Sequence, residues 1–229
     1  MLPNQQLNDP NGNQVCLFPL EAFSISQPWW GTYSHQGGAT YYANDLVPYD
    51  TNGNRIFRAP CYAPVDLQLL WKEVPNCVAL WQSVNPVHFA DGTLNYLGII
   101  VYHDNDITNG TYSNVGDIKR QGEIFNRSGT GGNVSGDHVH IETGKGQVNL
   151  QSDYLYHFRD DTGCKRIKPD LALFINDTTI IPDFYNYYQG YNFIDYQGGV
   201  VPPQPPTPTP SRRTNKWIKL LSRKINIKY

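Results

Sequence analysis

The sequence predicts a mainly β protein with an antiparallel sheet at its core and long loops. Short apolar segments alternate with turn residues, and 20 Gly and 17 Pro among 229 residues interrupt the chain more often than long helices allow. No stretch of ten residues before the C-terminal tail has a convincing helical period. The length suits one domain of ordinary size with appendages.

The predicted strands follow one another from residue 23 onward. Each is short and rich in β-branched or aromatic residues, and turn residues lie between them. Strands of this kind favour an antiparallel or mixed sheet. In chain order they cover residues 23–31, 45–47, 55–60, 63–71, 77–84, 96–102 and 118–125, with a closing segment at 168–175.

The segments outside this region differ from it in composition, and we expect five parts. The Tyr-rich part either packs onto the sheet, which we favour, or offers a stacking surface to sugars or a partner protein. The Pro-rich part is expected to be extended and semi-rigid. The five parts are an N-terminal arm (1–22), the main domain (23–182), a Tyr-rich extension (183–200), a Pro-rich linker (201–211) and a basic amphipathic tail (212–229).

Charge is distributed unevenly along the chain. Residues 212–229 carry seven Lys or Arg and no acidic residue, whereas the whole chain has a formal charge of −2. The body is therefore acidic, at about −9 by the same count, and does not suit the phosphates of a nucleic acid. The tail either attaches to an acidic surface, such as anionic lipid, wall polymer or a partner protein, or remains solvated.

The sequence predicts neither a targeting segment nor a metal site made of cysteines. The first residues have neither a basic nor an apolar region, so we expect no signal peptide. No run approaches the ~18 apolar residues of a membrane span, so no transmembrane segment is expected. The four cysteines lie far apart without a Cys-x-x-Cys motif, which favours buried thiols over a zinc–sulfur site and leaves disulfides open.

A His-x-His pair is the most informative chemical feature. His138 and His140 follow a Gly-rich run and lead into apolar residues with strand character. Side chains at positions i and i+2 of a strand leave the same face, so both rings are expected to point into one cavity. Such a pair can bind a metal, act as acid and base, or divide the two tasks.

Upstream residues can complete a metal site. Zinc in hydrolytic sites takes three protein ligands and leaves one position open. His35, Asp45 and His140 would supply two imidazoles and a carboxylate. His138 would then remain beside the metal as an acid–base group, and His103, at the end of an apolar strand, could add a second unligated imidazole.

Three stretches carry a family resemblance. Residues 122–142 contain a Gly-rich run that ends in His-x-His-x-Glu, residues 115–122 read Val-Gly-Asp-Ile-Lys-Arg-Gln-Gly, and residues 56–60 read Ile-Phe-Arg-Ala-Pro. Together they resemble the signature of the M23 (LytM/lysostaphin-type) zinc endopeptidases of bacterial cell walls. The resemblance extends over about residues 25–145, and its second half is the more specific.

The resemblance implies a β-sheet core of the LytM/M23 type and one Zn(2+) per chain. It makes His35, Asp45 and His140 the metal ligands and His138 the catalytic histidine. His103 is similar to a second catalytic histidine on the neighbouring strand. The family also has a tyrosine near the position of Tyr33, which makes that residue a substrate-binding candidate.

The implied activity is hydrolysis of peptide cross-links in bacterial peptidoglycan by a zinc metalloendopeptidase. One departure concerns the first motif, because nine residues separate His35 from Asp45 where the family has about three. A loop insertion would preserve the chemistry, and Asp50 is a rival ligand. The departure is also the one feature that supports the alternative, a catalytically inactive M23-fold structural or scaffold protein of a virion or cell envelope. The presence of all three ligands and the catalytic histidine argues against it.

We expect the protein to be a bacteriophage protein. A wall hydrolase without a signal peptide suits either a tail-associated virion protein acting during entry or a lytic enzyme released to the host cell wall. Residues 183–229 could dock onto phage tail proteins. Peptidoglycan is the expected substrate, and no nucleic-acid partner is expected.

Overall fold

The computed structural model describes residues 1–31, 33–36 and 42–198, and within these ranges the chain is mainly β. The prediction of a mainly β protein with an antiparallel core is confirmed. The predicted Pro-rich linker and basic tail lie outside the described residues. The elements are β1 (Ala22–Gln27), β2 (Asn44–Tyr49), β3 (Pro60–Tyr62), β4 (Leu67–Glu73), β5 (Val78–Ser83), β6 (Val87–His88), β7 (Leu94–Asn95), β8 (Leu97–Tyr102), α1 (Asp106–Asn109), β9 (Ile118–Lys119), β10 (Ile124–Arg127), β11 (Val139–Lys145), β12 (Lys165–Ile167), α2 (Pro169–Ala172) and β13 (Thr179–Ile180), with 3-10 turns at Tyr33–His35 and Tyr187–Gly190.

One large sheet organises the described residues. Its strand order is β13-β1-β2-β11-β8-β5-β4-β9, and β12 pairs with the second half of β11. Every pairing in this sheet is antiparallel except that of β1 with β13. The last long strand of the sequence, β11, therefore lies between β2 and β8, in the middle of the sheet.

A single row of paired residues crosses four strands. Asp45 on β2 pairs with Gln27 on β1 and with His140 on β11, and His140 pairs with Tyr102 on β8. Directly opposed residues in a sheet project to the same face, so these four side chains share one face. The register shifts between Ile25 and Gln27, which is the mark of a bulge that re-aims the end of β1.

Alternation along β8 and β11 separates a buried face from the face that carries this row. Ile99, Val101, Val139 and Ile141 belong to the main hydrophobic core. The intervening positions belong to the opposite face, where Ile100 packs in a smaller cluster. The sheet thus has apolar packing on both sides.

The segment between β11 and β12 covers part of the opposite face. Phe158 and Cys164 lie in the smaller cluster and approach Gly98 and Gly144 so closely that a Cβ on either glycine would stand 2.6 Å from the Cys164 sulfur. The two glycines are therefore required for this close approach. Just before Phe158, Tyr154, Tyr156 and His157 of the same segment form one side of an open cleft.

Two sequence-based expectations differ from the structure or are refined by it. Residues 55–60 form only an isolated bridge at Arg55 before β3 begins at Pro60. The left-handed backbone of Arg58, with φ of 55°, does not fit a strand. In the Tyr-rich segment, Tyr191 and Phe193 pack against the core, whereas Phe184 is 90% exposed.

The described residues also report on sulfur and membranes. All four cysteines are buried free thiols. No helix in the described part of the chain is long and apolar enough to cross a membrane.

Candidate metal centre

A cleft of about 750 Å³ opens on the face that carries the row of paired residues. All six site residues predicted from the sequence line it. Its lining consists of Gln27, Tyr33, Ser34, His35, Asp45, Asn76, Tyr102, His103, Asn133, Val134, Ser135, His138, His140, Tyr154, Tyr156 and His157.

Three of these residues form a cluster with the spacing of a metal site. One potential ligand atom from each of His35, Asp45 and His140 lies within 4.8 Å of the other two. The Asp45 Oδ1 atom is 3.4 Å from His35 Nε2 and 2.9 Å from His140 Nδ1. Tetrahedral zinc with bonds of about 2.0–2.1 Å separates its ligand atoms by roughly 3.3 Å, so the cluster fits this ion.

The buried ring of His35 supports the same conclusion. His35 is fully buried, and its Nε2 atom has no hydrogen-bond partner among the described residues. Its Nδ1 atom lies 3.2 Å from the Pro28 carbonyl oxygen and donates to it, which leaves a lone pair on Nε2. Buried polar atoms are normally paired, so an unpaired nitrogen aimed at a carboxylate is the expected state of a metal ligand.

The long step from His35 to Asp45 does not separate the two residues in space. The ends of the step meet at the cluster, although residues 37–41 lie outside the described ranges. Asp50, the rival ligand, is not part of the cluster. It accepts hydrogen bonds from the backbone N–H groups of Asn52 and Asn54 and closes its own turn.

Gln27 bonds to one residue of the cluster, Asp45, and to Ser34, the neighbour of another. Its Nε2 atom donates to Asp45 Oδ2 at 2.6 Å. Its Oε1 atom accepts hydrogen bonds from the backbone N and the Oγ of Ser34, both at 3.1 Å. Sequence analysis did not single out Gln27, because its partners are defined only by the pairing of β1 with β2.

Glu142 is a second residue whose role the sequence did not reveal. It is buried, and its Oε1 atom lies 3.2 Å from His140 Nε2 and 2.6 Å from His157 Nδ1. Because Nε2 faces Glu142, the Nδ1 atom of His140 faces Asp45. A carboxylate behind a ligating histidine fixes its tautomer and ring orientation. The final Glu of the His-x-His-x-Glu run was the available signal for Glu142, whereas His157 belongs to no motif.

Contacts within the cluster favour the charged forms of His140 and Asp45. Burial alone would lower the pKa of His140, but hydrogen bonds to Asp45 and Glu142 raise it to about 9. Burial alone would raise the pKa of Asp45, but contacts with His138 and His140 hold it well below its usual range. The pocket is therefore built to hold positive charge between two carboxylates.

His138 and His103 stand beside the cluster without belonging to it. Their ring centroids are 4.6 Å apart, and His138 Nε2 is 3.6 Å from Asp45 Oδ1. The Nδ1 atom of each ring donates to a backbone carbonyl at 2.9 Å, that of Gly136 for His138 and that of Gly131 for His103. In the neutral form of each ring the lone pair is therefore on Nε2. Burial lowers the pKa of His103 to about 4, so this ring is neutral at pH 7.

Of the four tyrosines that line the cleft, Tyr33 and Tyr102 differ most in their surroundings. Tyr33 is 84% exposed and free to meet a ligand at the rim. The Tyr102 hydroxyl donates to the carbonyl oxygen of Tyr156, and burial raises its pKa above the usual range. Tyr102 thus anchors the covering segment to the sheet.

Comparison with known proteins adds a phage relative. No protein-family model matches the chain. Over 135 residues the chain is 31% identical to "Morphogenesis protein 1" of Bacillus phage B103. The chain is similar to a phage protein. The alignment covers 59% of this chain and 33% of the phage protein, so the chain spans about a third of that relative's length.

Solved structures with a likeness to the chain are peptidases. A zinc-containing peptidase from Vibrio cholerae has 11% identity and a TM-score of 0.37, with 60% of this chain and 42% of that chain covered. A mutant of the catalytic domain of the prophage-encoded M23 protein EnpA from Enterococcus faecalis has 15% identity and a TM-score of 0.39, with 65% and 89% covered. The catalytic domain of lysostaphin from Staphylococcus simulans has 14% identity and a TM-score of 0.33, with 56% and 74% covered. These TM-scores are low, so the chemistry proposed for the cleft depends only on the residues that line it.

Proposed function

We propose that the protein is a zinc-dependent endopeptidase that cleaves peptide cross-links of bacterial peptidoglycan. The observation that carries the proposal is the cluster of His35, Asp45 and His140 in an open cleft, with His138 and His103 beside it. Hydrolytic zinc sites use three nitrogen or oxygen ligands and an open position, together with a neighbouring acid–base group.

The residues of the cleft divide the chemistry among them. Zinc bound to the cluster would supply Lewis acidity toward a substrate carbonyl and would acidify a water molecule. His138 and His103 hold Nε2 acceptors that take up the proton of the attacking water and return it to the leaving amine. Since His103 is neutral at pH 7, it is ready to accept a proton.

The cleft lining suits a peptide. Asn76, Asn133 and Ser135 offer amide and hydroxyl groups, and Tyr154 and Tyr156 add aromatic surface. Amides and hydroxyls both donate and accept hydrogen bonds, which matches the alternating donors and acceptors of a peptide backbone. The choice of peptidoglycan as the substrate rests on the resemblance of residues 25–145 to cell-wall endopeptidases.

We propose that the protein acts either as part of a phage particle or as a free enzyme during phage lysis. The likeness to a phage morphogenesis protein supports a phage origin and a place on the virion. The seven positive charges of residues 212–229 would attach the protein to an acidic surface of a tail protein or of the cell wall. A protein released to the host wall would use the same basic residues to bind that wall.

The experiment that tests the function is digestion of purified sacculi with and without a chelator, with the products identified by mass spectrometry. We expect about one zinc per chain, new peptide termini in the digest, and no digestion after metal removal. Replacing His35, Asp45 or His140 by Ala should remove both zinc and activity. His138→Ala should keep zinc and lose turnover.

One control variant and three contradicting outcomes can be distinguished in this experiment. His88 is a histidine outside the cleft that contacts Asp9, so His88→Ala should keep both zinc and activity. Stoichiometric zinc in all three ligand variants would refute the ligand set. A wild-type protein that binds no zinc would instead favour the scaffold alternative, and a zinc-loaded protein inert toward every sacculus would refute the substrate.

A further inference from the structure

We infer that Gln27 is a positioning residue that ties the two upstream ligands of the zinc site to each other. The inference rests on the proposed function, because it assigns a role toward the metal that His35, Asp45 and His140 would hold. Gln27 lies at the end of β1, where it lines the cleft and is half-buried.

The amide of Gln27 has one orientation that satisfies its neighbours. The carboxylate of Asp45 can only accept, so the Gln27 Nε2 atom must face it, and the distance to Oδ2 is 2.6 Å. The backbone N–H of Ser34 can only donate, so the Gln27 Oε1 atom must face Ser34, at 3.1 Å. The partners at the two ends of the side chain therefore fix the amide.

This bonding leaves the other carboxylate oxygen for the cluster. Because Gln27 occupies Oδ2, the Oδ1 atom of Asp45 faces the imidazoles of His35 and His140. A carboxylate held from behind in this way cannot rotate to offer its second oxygen. Its remaining lone pairs are fixed in the direction of the metal position.

The other end of Gln27 controls the position of His35. Ser34 and His35 are adjacent in the 3-10 turn Tyr33–His35, so holding the N–H of Ser34 holds the turn that presents the His35 ring. The carbonyl oxygen of Pro28, the residue that follows β1, accepts the hydrogen bond from Nδ1 of the same ring. The dipeptide 27–28 thus contacts both ligands that the ten-residue step separates in sequence.

The backbone of β1 explains how Gln27 reaches this place. The register shift after Ile25 brings Gln27 opposite Asp45 in the ladder. The Oγ of Ser26 donates to the Asp45 carbonyl oxygen at 3.2 Å. Bulges commonly re-aim a side chain beside a functional site, and here the bulge turns an amide toward the carboxylate that it supports.

The test measures metal affinity rather than turnover. Gln27→Met keeps the length of the side chain and removes its three hydrogen bonds, and Gln27→Ala removes them along with the side chain. We expect the zinc dissociation constant, measured by competition with a chromophoric chelator, to rise about 10- to 100-fold in each variant. The visible spectrum of the Co²⁺-substituted protein should change as well, because it reports the arrangement of the ligands.

A matched control separates positioning from stability. Gln82 lies on β5 outside the cleft and donates one hydrogen bond to the Gly146 carbonyl oxygen at 3.0 Å. Gln82→Met should lower the thermal unfolding temperature of the protein without zinc, because it removes a hydrogen bond, but should leave zinc affinity and the cobalt spectrum unchanged.

Each outcome decides the inference. Wild-type zinc affinity and an unchanged cobalt spectrum in a folded Gln27 variant would overturn it, even if the protein were less stable. So would an equal loss of affinity in Gln82→Met, which would show a general effect of stability. A wild-type chain that binds no zinc would remove the proposed function and this inference together, a result unlike either of the others.

Discussion

The environment of His103 sets its protonation state. Its backbone has φ of 80°, which is rare outside glycine, and its Nδ1 atom is held by the Gly131 carbonyl oxygen. Burial lowers its pKa to about 4, and the neighbouring imidazoles of His138 and His140 act in the same direction. A neutral ring at physiological pH is the form that a general base requires.

The lowered pKa of His103 predicts how stability depends on pH. The pKa of this histidine has its ordinary value of 6.5 in the unfolded chain and is lowered to about 4 in the folded protein. Between these values the unfolded state binds more protons, so the contribution of His103 to the free energy of unfolding decreases as pH falls. Urea unfolding of metal-free protein at a series of pH values should show a shallower dependence for His103→Gln than for wild type. Equal slopes would contradict the prediction.

The sequence predicted that both histidines of the His-x-His pair face the same way, but it did not predict the contacts that support the metal cluster. The i, i+2 spacing of His138 and His140 predicted that both rings face one cavity, and both line the cleft. Gln27 meets Asp45 across the pairing of β1 with β2, and His157 meets Glu142 from the segment that follows β11. Strand register and the path of a loop are not encoded in any local pattern of a single sequence.

The Gly-rich loop before β11 supports the turn that carries His103. A Cβ on Gly129 would stand 2.1 Å from the His103 carbonyl oxygen, and one on Gly131 would stand 2.4 Å from the Cys77 sulfur. The N–H of Gly131 donates to the His103 carbonyl oxygen at 3.0 Å. The loop and the turn are therefore packed backbone against backbone, and glycine is the residue that permits this approach.

Gly129→Ala should accordingly displace His103 without touching the metal ligands. We expect turnover to be lost, zinc to be retained, and the free energy of unfolding to fall by about 1–3 kcal/mol, as in other overpacked sites. Sacculus digestion and metal analysis of the same preparation check this. The matched control is Gly136→Ala in the same loop, where the nearest atom to a new Cβ is 3.8 Å away, on Arg55. Equal activity in the two variants would refute the packing argument.

Strand predictions succeeded where the apolar pattern was strong. The segments predicted at 63–71, 77–84 and 96–102 contain most of β4, β5 and β8, whose residues alternate between two buried faces. The segment 55–60 failed, because the positive φ of Arg58 is a backbone property that composition does not reveal. The central position of β11 also could not be read from chain order, since it follows from pairings with β2 and β8.

The packing of the chain as a whole places all four cysteines in its interior. They are buried free thiols, and burial raises the pKa of each above its ordinary value. Because the thiolate is the reactive form, the folded protein should be nearly inert toward thiol reagents.

Thiol titration tests this arrangement. A disulfide-exchange reagent should modify four thiols per chain in denaturant and react only slowly in native buffer. Reducing agents should leave the thermal unfolding temperature unchanged, because no disulfide stabilises the fold. Fewer than four titratable thiols in denaturant, or a lower unfolding temperature after reduction, would contradict the structure.

The row that joins Gln27, Asp45, His140 and Tyr102 has a consequence for the order of synthesis. Its members come from β1, β2, β11 and β8, so the strand that contributes the third ligand is translated after all the others. Metal sites rarely exist before the surrounding chain is folded. A growing chain on the ribosome therefore cannot assemble this cluster until β11 has emerged and inserted between β2 and β8, and the proposed activity requires a translation product that includes β11.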